Sequence, residues 1–235
     1  MYFEERKQQL VNLFLYTFFV PILLITFFKL LYPDVSPEMA TRILTGNIIV
    51  AIMLGAIGTL SNHVYILQIA GTIEYYMSLP IKKIHFVLSF LLSRTIFEVP
   101  NLFFILFLGK LLLEVDFQIS FSLLIGLVFA YVLIGISVGF IGILIGTKGR
   151  SIEEVAGIST IASYIIILVS PIFIPLSLFP QTIQFFWKFL PTTWGALFLE
   201  NLLNVGVINI MKLLILIGFG CLSLFLMERV IKWRE

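Results

Sequence analysis

One cysteine, Cys221, and two histidines, His63 and His85, are spread through a chain of 235 residues. A lone thiol excludes an internal disulfide, and histidines this far apart with no second cysteine exclude a zinc cluster of the usual spacing. Charge is equally scarce. Charged residues make up 12% of the chain, about half the share of a soluble domain. No phosphate-binding loop is present. The nearest candidate, Gly142-Ile143-Leu144-Ile145-Gly146-Thr147-Lys148, lacks the adjacent Gly-Lys pair that cradles a phosphate. No Ser-His-Asp set and no paired carboxylates stand out, so the chain is not expected to be an enzyme. A net charge of +2 gives no basic surface for nucleic acid, and no such partner is expected.

What fills the chain instead is apolar surface. Hydrophobic residues make up 60% of it, and the mean hydropathy is +1.10. A soluble fold of this length has too small an interior to hide that much. Lipid is the alternative solvent, and each crossing of a hydrocarbon core of about 30 Å needs about 20 apolar residues in a helix. Apolar runs fall at about 11–32, 44–67, 85–109, 121–146, 155–176 and 205–228. Barrel strands would alternate in polarity, and the run Ile161-Ala162-Ser163-Tyr164-Ile165-Ile166-Ile167-Leu168-Val169 does not. The expected fold is an all-α integral membrane bundle of six spans, a single transmembrane domain over 1–235. Cys221 is then a small membrane hydrophobe. The segment Met1 to Leu10 lacks a signal-peptide cleavage site, so the first run is expected to remain as a span.

Basic residues set the orientation. With the N-terminus inside, the inner segments hold Arg6, Lys7, Lys82, Lys83, Lys148, Arg150, Arg229, Lys232 and Arg234. The outer segments hold the smaller set Lys29, Arg42, Lys110, Lys188 and Lys212, with acidic Asp34, Glu38, Glu114, Asp116 and Glu200. Both termini are therefore expected in the cytoplasm of a cell whose inner (cytoplasmic) membrane carries the protein.

Two connecting segments stand apart from the spans. In the first, Gly71-Thr72-Ile73-Glu74-Tyr75-Tyr76-Met77-Ser78-Leu79-Pro80, Thr72 can cap a short helix with Glu74 in its first turn, and Pro80 stops it. About two turns of amphipathic helix are expected, presenting Ile73, Tyr76, Met77 and Leu79. An interfacial connector resting on lipid headgroups satisfies the same pattern. The second segment carries Pro171, Pro175, Pro180 and Pro191, which break any continuous span. Between Pro180 and Pro191 a short helix with Phe185, Phe186, Trp187 and Phe189 suits the outer interface, where a plain aromatic anchor is the simpler reading.

Together these segments resemble the type-2 ABC exporter permeases. That family carries a Gly-Thr-Leu-Glu-like stretch and a Thr-Pro-like turn between its second and third helices, matched here by Gly71-Thr72-Ile73-Glu74 and Leu79-Pro80. It also breaks after the fifth helix at Phe-Pro and Leu-Pro pairs, matched by Phe179-Pro180 and Leu190-Pro191, and Pro21 matches a common first-span proline. The resemblance implies a cytoplasmic coupling helix at 71–80 that docks an ABC ATPase subunit. It implies an external re-entrant helical hairpin at 171–191, including Pro171, Pro175, Phe179, Pro180, Trp187 and Pro191. It further implies a second permease copy or a sibling permease, ATP and Mg held by the partner ATPase, and export of amphipathic cargo such as a drug, peptide or lipid-like molecule. The family's longer amphipathic N-terminal helix is expected to be truncated at Met1 to Gln9.

Arg94 and Glu98 lie within the third run, next to Pro100. A mid-bilayer charge costs at least about 2.5–3.5 kcal/mol, so it needs a partner or water. Their i, i+4 spacing allows an intrahelical pair. A wet path with a proton or cation site, or a position nearer the inner surface, remains open. On that ground an ion-coupled secondary transporter using Glu98 and Arg94 is the alternative function, and a membrane enzyme or scaffold is a third. Gly135, Gly139, Gly142 and Gly146 form a small-residue stripe suited to close helix packing or to a hinge.

Overall fold

The computed structural model describes residues 18–115, 117, 120–174 and 178–230, with the backbone alone at 230. Among these, every regular element is helical. The first helix, α1, covers Phe18–Leu31 at the edge of the described residues. The second span runs Pro37–Ile69 as α2 (Pro37–Met53), a π-helical segment (Leu54–Thr59) and α3 (Leu60–Ile69). A short α4 (Thr72–Ser78) leads to the third span, α5 (Lys83–Phe97) followed by α6 (Val99–Leu112). The remaining helices are α7 (Phe121–Lys148), α8 (Ile152–Val169), α9 (Gln181–Trp187), α10 (Pro191–Val205) and α11 (Ile210–Val230). Among the described residues, five stretches are long and apolar enough to cross a membrane: Pro37–Ile69, Lys83–Leu112, Phe121–Lys148, Ile152–Val169 and Ile210–Arg229.

Local chemistry explains the limits. α2 begins ahead of the apolar run at 44 because Ser36 caps it, accepting from the Met39 N–H at 3.4 Å, while Pro37 fills a first-turn position that needs no donor. Ser120 caps α7 in the same way at 3.1 Å, and Ser151 caps α8 at 3.1 Å. α8 stops at Val169 because Pro171 forces Ser170 into an extended conformation.

α7 is the axis of the bundle and touches most other helices. Its 28 residues span about 42 Å. The small-residue stripe works as a packing seam. A Cβ on Gly142 would fall 2.4 Å from the Ala56 carbonyl oxygen, and one on Gly146 would fall 2.5 Å from that of Ser61. Only glycine permits backbones this close. Gly135 and Gly139 receive Thr95 and Leu91 of α5. By contrast, α8 and α11 leave much of their apolar surface open, including Ile161, Ile165 and Leu168 of α8.

Polar ties lock the two ends of the bundle. At the end where α2 begins, Arg42 pairs with Glu200 of α10 at 3.3 Å, Lys212 of α11 donates to the Leu197 carbonyl at 2.9 Å, and Lys29 donates to the Leu112 carbonyl. At the other end, Tyr65 donates to the Arg150 carbonyl at 3.0 Å, and Lys83 donates to that of Glu228. Lys82, Lys148, Arg150 and Arg229 gather at this second end with α4. Arg6, Lys7, Lys232 and Arg234 lie outside the described residues.

Candidate functional site

α4 sits at the tip of the turn joining α3 to α5. Its cap is Gly71, at φ 68°, and not Thr72, which occupies the first helical position without a capping bond. The left-handed turn from Ala70 into α4 needs a residue without a Cβ, so the glycine, not the hydroxyl, starts this helix. The stop is as expected from Pro80: Leu79 is extended (φ −79°, ψ 153°), the conformation favoured before proline. The exposed face differs from the expected one. Ile73 is buried, and Tyr76 packs against Phe86 of α5 with ring centroids 5.1 Å apart. The face left open carries Glu74, Tyr75 and Ser78, with Tyr75 62% exposed. The apolar positions of a short amphipathic helix are taken up by its own bundle, so the apolar set that looked like a presented face is the anchoring face.

Beyond α8 the chain turns at Pro171 and Phe173, passes the undescribed segment 175–177 (which contains Pro175) and enters α9 through Pro180. Trp187 is buried and meets Phe179 edge-on at 4.0 Å, which pins α9 to the preceding turn. Phe185, Phe186 and Phe189 are exposed. Pro191 then opens α10 at its first turn. α10 begins deep in the bundle. A Cβ on Gly195 would meet Ile134, midway along α7, and Ile49, in the last third of α2. Farther along, Leu202 lies against Gly126 near the start of α7. Ser170 and Thr192, both buried, hydrogen-bond at 2.7 Å and join the end of α8 to this deep beginning. Its 15 residues reach about 22 Å, too short to cross a hydrocarbon core of about 30 Å.

Between the ends, Glu98 occupies the junction of α5 and α6 (φ −92°, ψ −7°). Pro100 has no N–H for the Ile96 carbonyl, so the third span breaks here and is not one continuous helix. Arg94 and Glu98 do approach each other, with Nε and Oε1 3.9 Å apart, too long for a hydrogen bond. A second contact was not foreseen. The Glu98 carboxylate lies against Gly55 of the π-helical segment, where a Cβ would fall 1.9 Å from Oε2, and Thr59 donates to Oε1 at 3.4 Å. The cavity beside Glu98 takes in no residue of α4, α9 or α10, so the three groups of candidate residues form no common site. Among the described residues no cluster could hold a metal ion.

The family model of the ABC-2 type transporter matches residues 3–203. The chain belongs to this family. Neither the curated proteins nor the solved structures gave a significant match. An ABC-2 type transporter chain of this kind is a multi-pass membrane protein and a transport subunit, and its several apolar helices agree with that. Two features of this ABC-2 type transporter chain escaped sequence reasoning. α10 is short and carries Thr192, Thr193, Glu200, Asn201 and Asn204, and it fell between the apolar runs, yet Phe198, Leu199 and Leu202 are buried in the core. Leu202 and Leu203 do follow Phe198 and Leu199 at helical spacing, which was the available signal. The π-helical segment has no residue signature, because its wide turn is made by what packs against it.

Proposed function

We propose that this chain is the permease subunit of an ATP-driven exporter that moves amphipathic cargo out of the cell, powered by a separate ATPase subunit that binds ATP and Mg. α4 is the coupling helix that docks this ATPase. The observation that carries the reading is the outward face of Glu74, Tyr75 and Ser78 on a short helix whose apolar side is already satisfied. An exposed tyrosine beside a carboxylate, held at a tip among basic residues, suits a protein partner better than lipid tails. The end bearing α4 faces the cytoplasm, as the gathering of Lys82, Lys83, Lys148, Arg150 and Arg229 there favours. At the outer end α9 and α10 form the re-entrant hairpin that closes the cargo path, anchored by Trp187. The open apolar faces of α8 and α11 leave room for a second permease copy or a sibling.

The test is capture of the ATPase by the tagged, full-length permease. Tyr75→Ala with Glu74→Lys abolishes capture, while the buried-face change Met77→Leu leaves it intact. Undiminished capture by the double variant would sink the docking assignment. The ion-coupled reading draws on Glu98 and Arg94 at a helix break in the membrane. Transport that survives ATP depletion but collapses with a proton ionophore would replace the exporter reading with that one.

A further inference from the structure

The third span differs sharply between its two halves. α6 buries Asn101, Leu102, Ile105, Leu106, Leu108 and Gly109, and it lies on α2. α5 buries only Val87, Leu91 and Thr95, a single row at four-residue spacing that faces α7, with Met227 of α11 alongside it. A helix held along one row can roll or tilt on that row, whereas one held around much of its girth cannot.

The junction between the halves has the parts of a joint. Pro100 removes the backbone bond that would stiffen it. The side chain at the junction, Glu98, projects into the second span at the place where that span opens into a π-turn. Gly55 supplies the hollow, and Thr59 Oγ1 reaches Oε1 at 3.4 Å while also donating to the Gly55 carbonyl at 2.7 Å. Arg94 guards the α5 side at 3.9 Å. Ala56, Leu91, Thr95 and Gly135 complete a cavity beside the carboxylate with room for about one water molecule. A carboxylate seated against backbone, a hydroxyl and a nearby guanidinium is held in place without being fused to any one of them.

The free half also has somewhere to go. Below the junction an apolar cavity lies between α5, the underside of α4 and the facing sides of α3 and α7, bounded by Val64, Leu67, Ile73, Phe86, Phe90 and Thr147. Such a gap lacks contact partners on one side, so closing it sacrifices no packing there. α4 follows α5 because the Tyr76 ring packs on Phe86, tilted by 41°.

We infer that the third span is a jointed lever: α5, carrying α4, pivots about Glu98 seated in the Gly55 hollow, while α6 stays fixed on α2. Its use in coupling rests on reading α4 as the ATPase-docking helix; the joint itself does not. Four contacts must follow the swing or yield to it: the packing of α5 on α11, the His63–Phe90 stack at 5.4 Å, the Lys83 bond to the Glu228 carbonyl and the Arg94–Glu98 approach.

Pairs of spin labels on the full-length chain in lipid nanodiscs test this, with Cys221→Ser as background. One pair spans the free half, at His85→Cys on α5 and Lys148→Cys on α7. The other spans the fixed half, at Leu111→Cys on α6 and Phe121→Cys on α7. The first pair gives a distance distribution at least about twice as wide as the second, and equal widths overturn the joint. Glu98→Leu, which unseats the pin, widens the first distribution further and leaves the second unchanged. Glu98→Gln, which keeps shape and acceptor, restores the wild-type width. A Glu98→Leu distribution identical to wild type overturns the role of Glu98. If that variant does not fold, the wild-type comparison still decides the existence of the joint. ATPase capture is scored separately, so unequal widths without capture would sink the docking assignment and leave the lever standing.

Discussion

α4 and α9 are both seven residues long and both tied to a proline. Their exposed faces are made of different material. α4 turns out Glu74, Tyr75 and Ser78, whereas α9 turns out Phe185 and Phe186, with Phe189 just beyond its end. Their anchors differ as well. α4 enters through left-handed Gly71 and is held by the modest contacts of Ile73 and Tyr76. α9 enters through Pro180 in ordinary backbone and is held by the buried indole of Trp187. Length and punctuation set how a short helix is placed, and the chemistry of the outward face sets what it meets.

Three measurements can break this contrast. The largest effect is expected from Trp187→Ala, which removes a buried ring and its edge contact with Phe179. A loss of about 3–5 kcal/mol should appear as a large drop in the thermal unfolding midpoint in detergent. A drop no larger than that of an exposed aromatic would mean the indole is not the anchor. Next is Gly71→Ala, which forces a Cβ into left-handed backbone at a cost of about 1–2 kcal/mol. The midpoint should fall modestly, and ATPase capture should weaken because α4 is misaimed. Unchanged capture would show that the entry turn is not what aims it. The smallest stability effects, within about 0.5 kcal/mol, belong to Tyr75→Ala and Phe186→Ala, since both side chains are exposed. These two positions nonetheless separate the ends most clearly. In a Cys221→Ser background, an environment-sensitive fluorophore on Phe186→Cys should be quenched by lipid-borne quenchers, and one on Tyr75→Cys should not. Equal quenching would erase the distinction between a water-facing tip and an interface-facing one.

Much of the architecture was legible because lipid imposes a simple rule, and runs such as Phe121 to Gly146 announce a helix in any context. Gly71 and Pro80 marked the start and stop of α4 through backbone sterics that act locally. Its outward face was not legible, because Ile73, Tyr76 and Met77 fit a partner's groove as well as the protein's own core. The break at Glu98 could have been read from Pro100, but the i, i+4 spacing of Arg94 and Glu98 suggested an unbroken helix. The hollow at Gly55 could not have been read at all. It exists because Glu98, forty-three residues later, is packed into it, and nothing in the neighbouring sequence encodes that contact.

The seam along α7 has a mechanical result of its own. Because Gly142 and Gly146 lie directly over the carbonyls of Ala56 and Ser61, no side chain cushions the two backbones. A slide along the seam by a fraction of the four-residue repeat would drive a branched neighbour such as Ile143 or Ile145 into that oxygen row. A shift by a full four-residue step would put Val138 or Arg150 over the same carbonyls. The second and fourth spans are therefore keyed to one register, able to tilt together but not to creep.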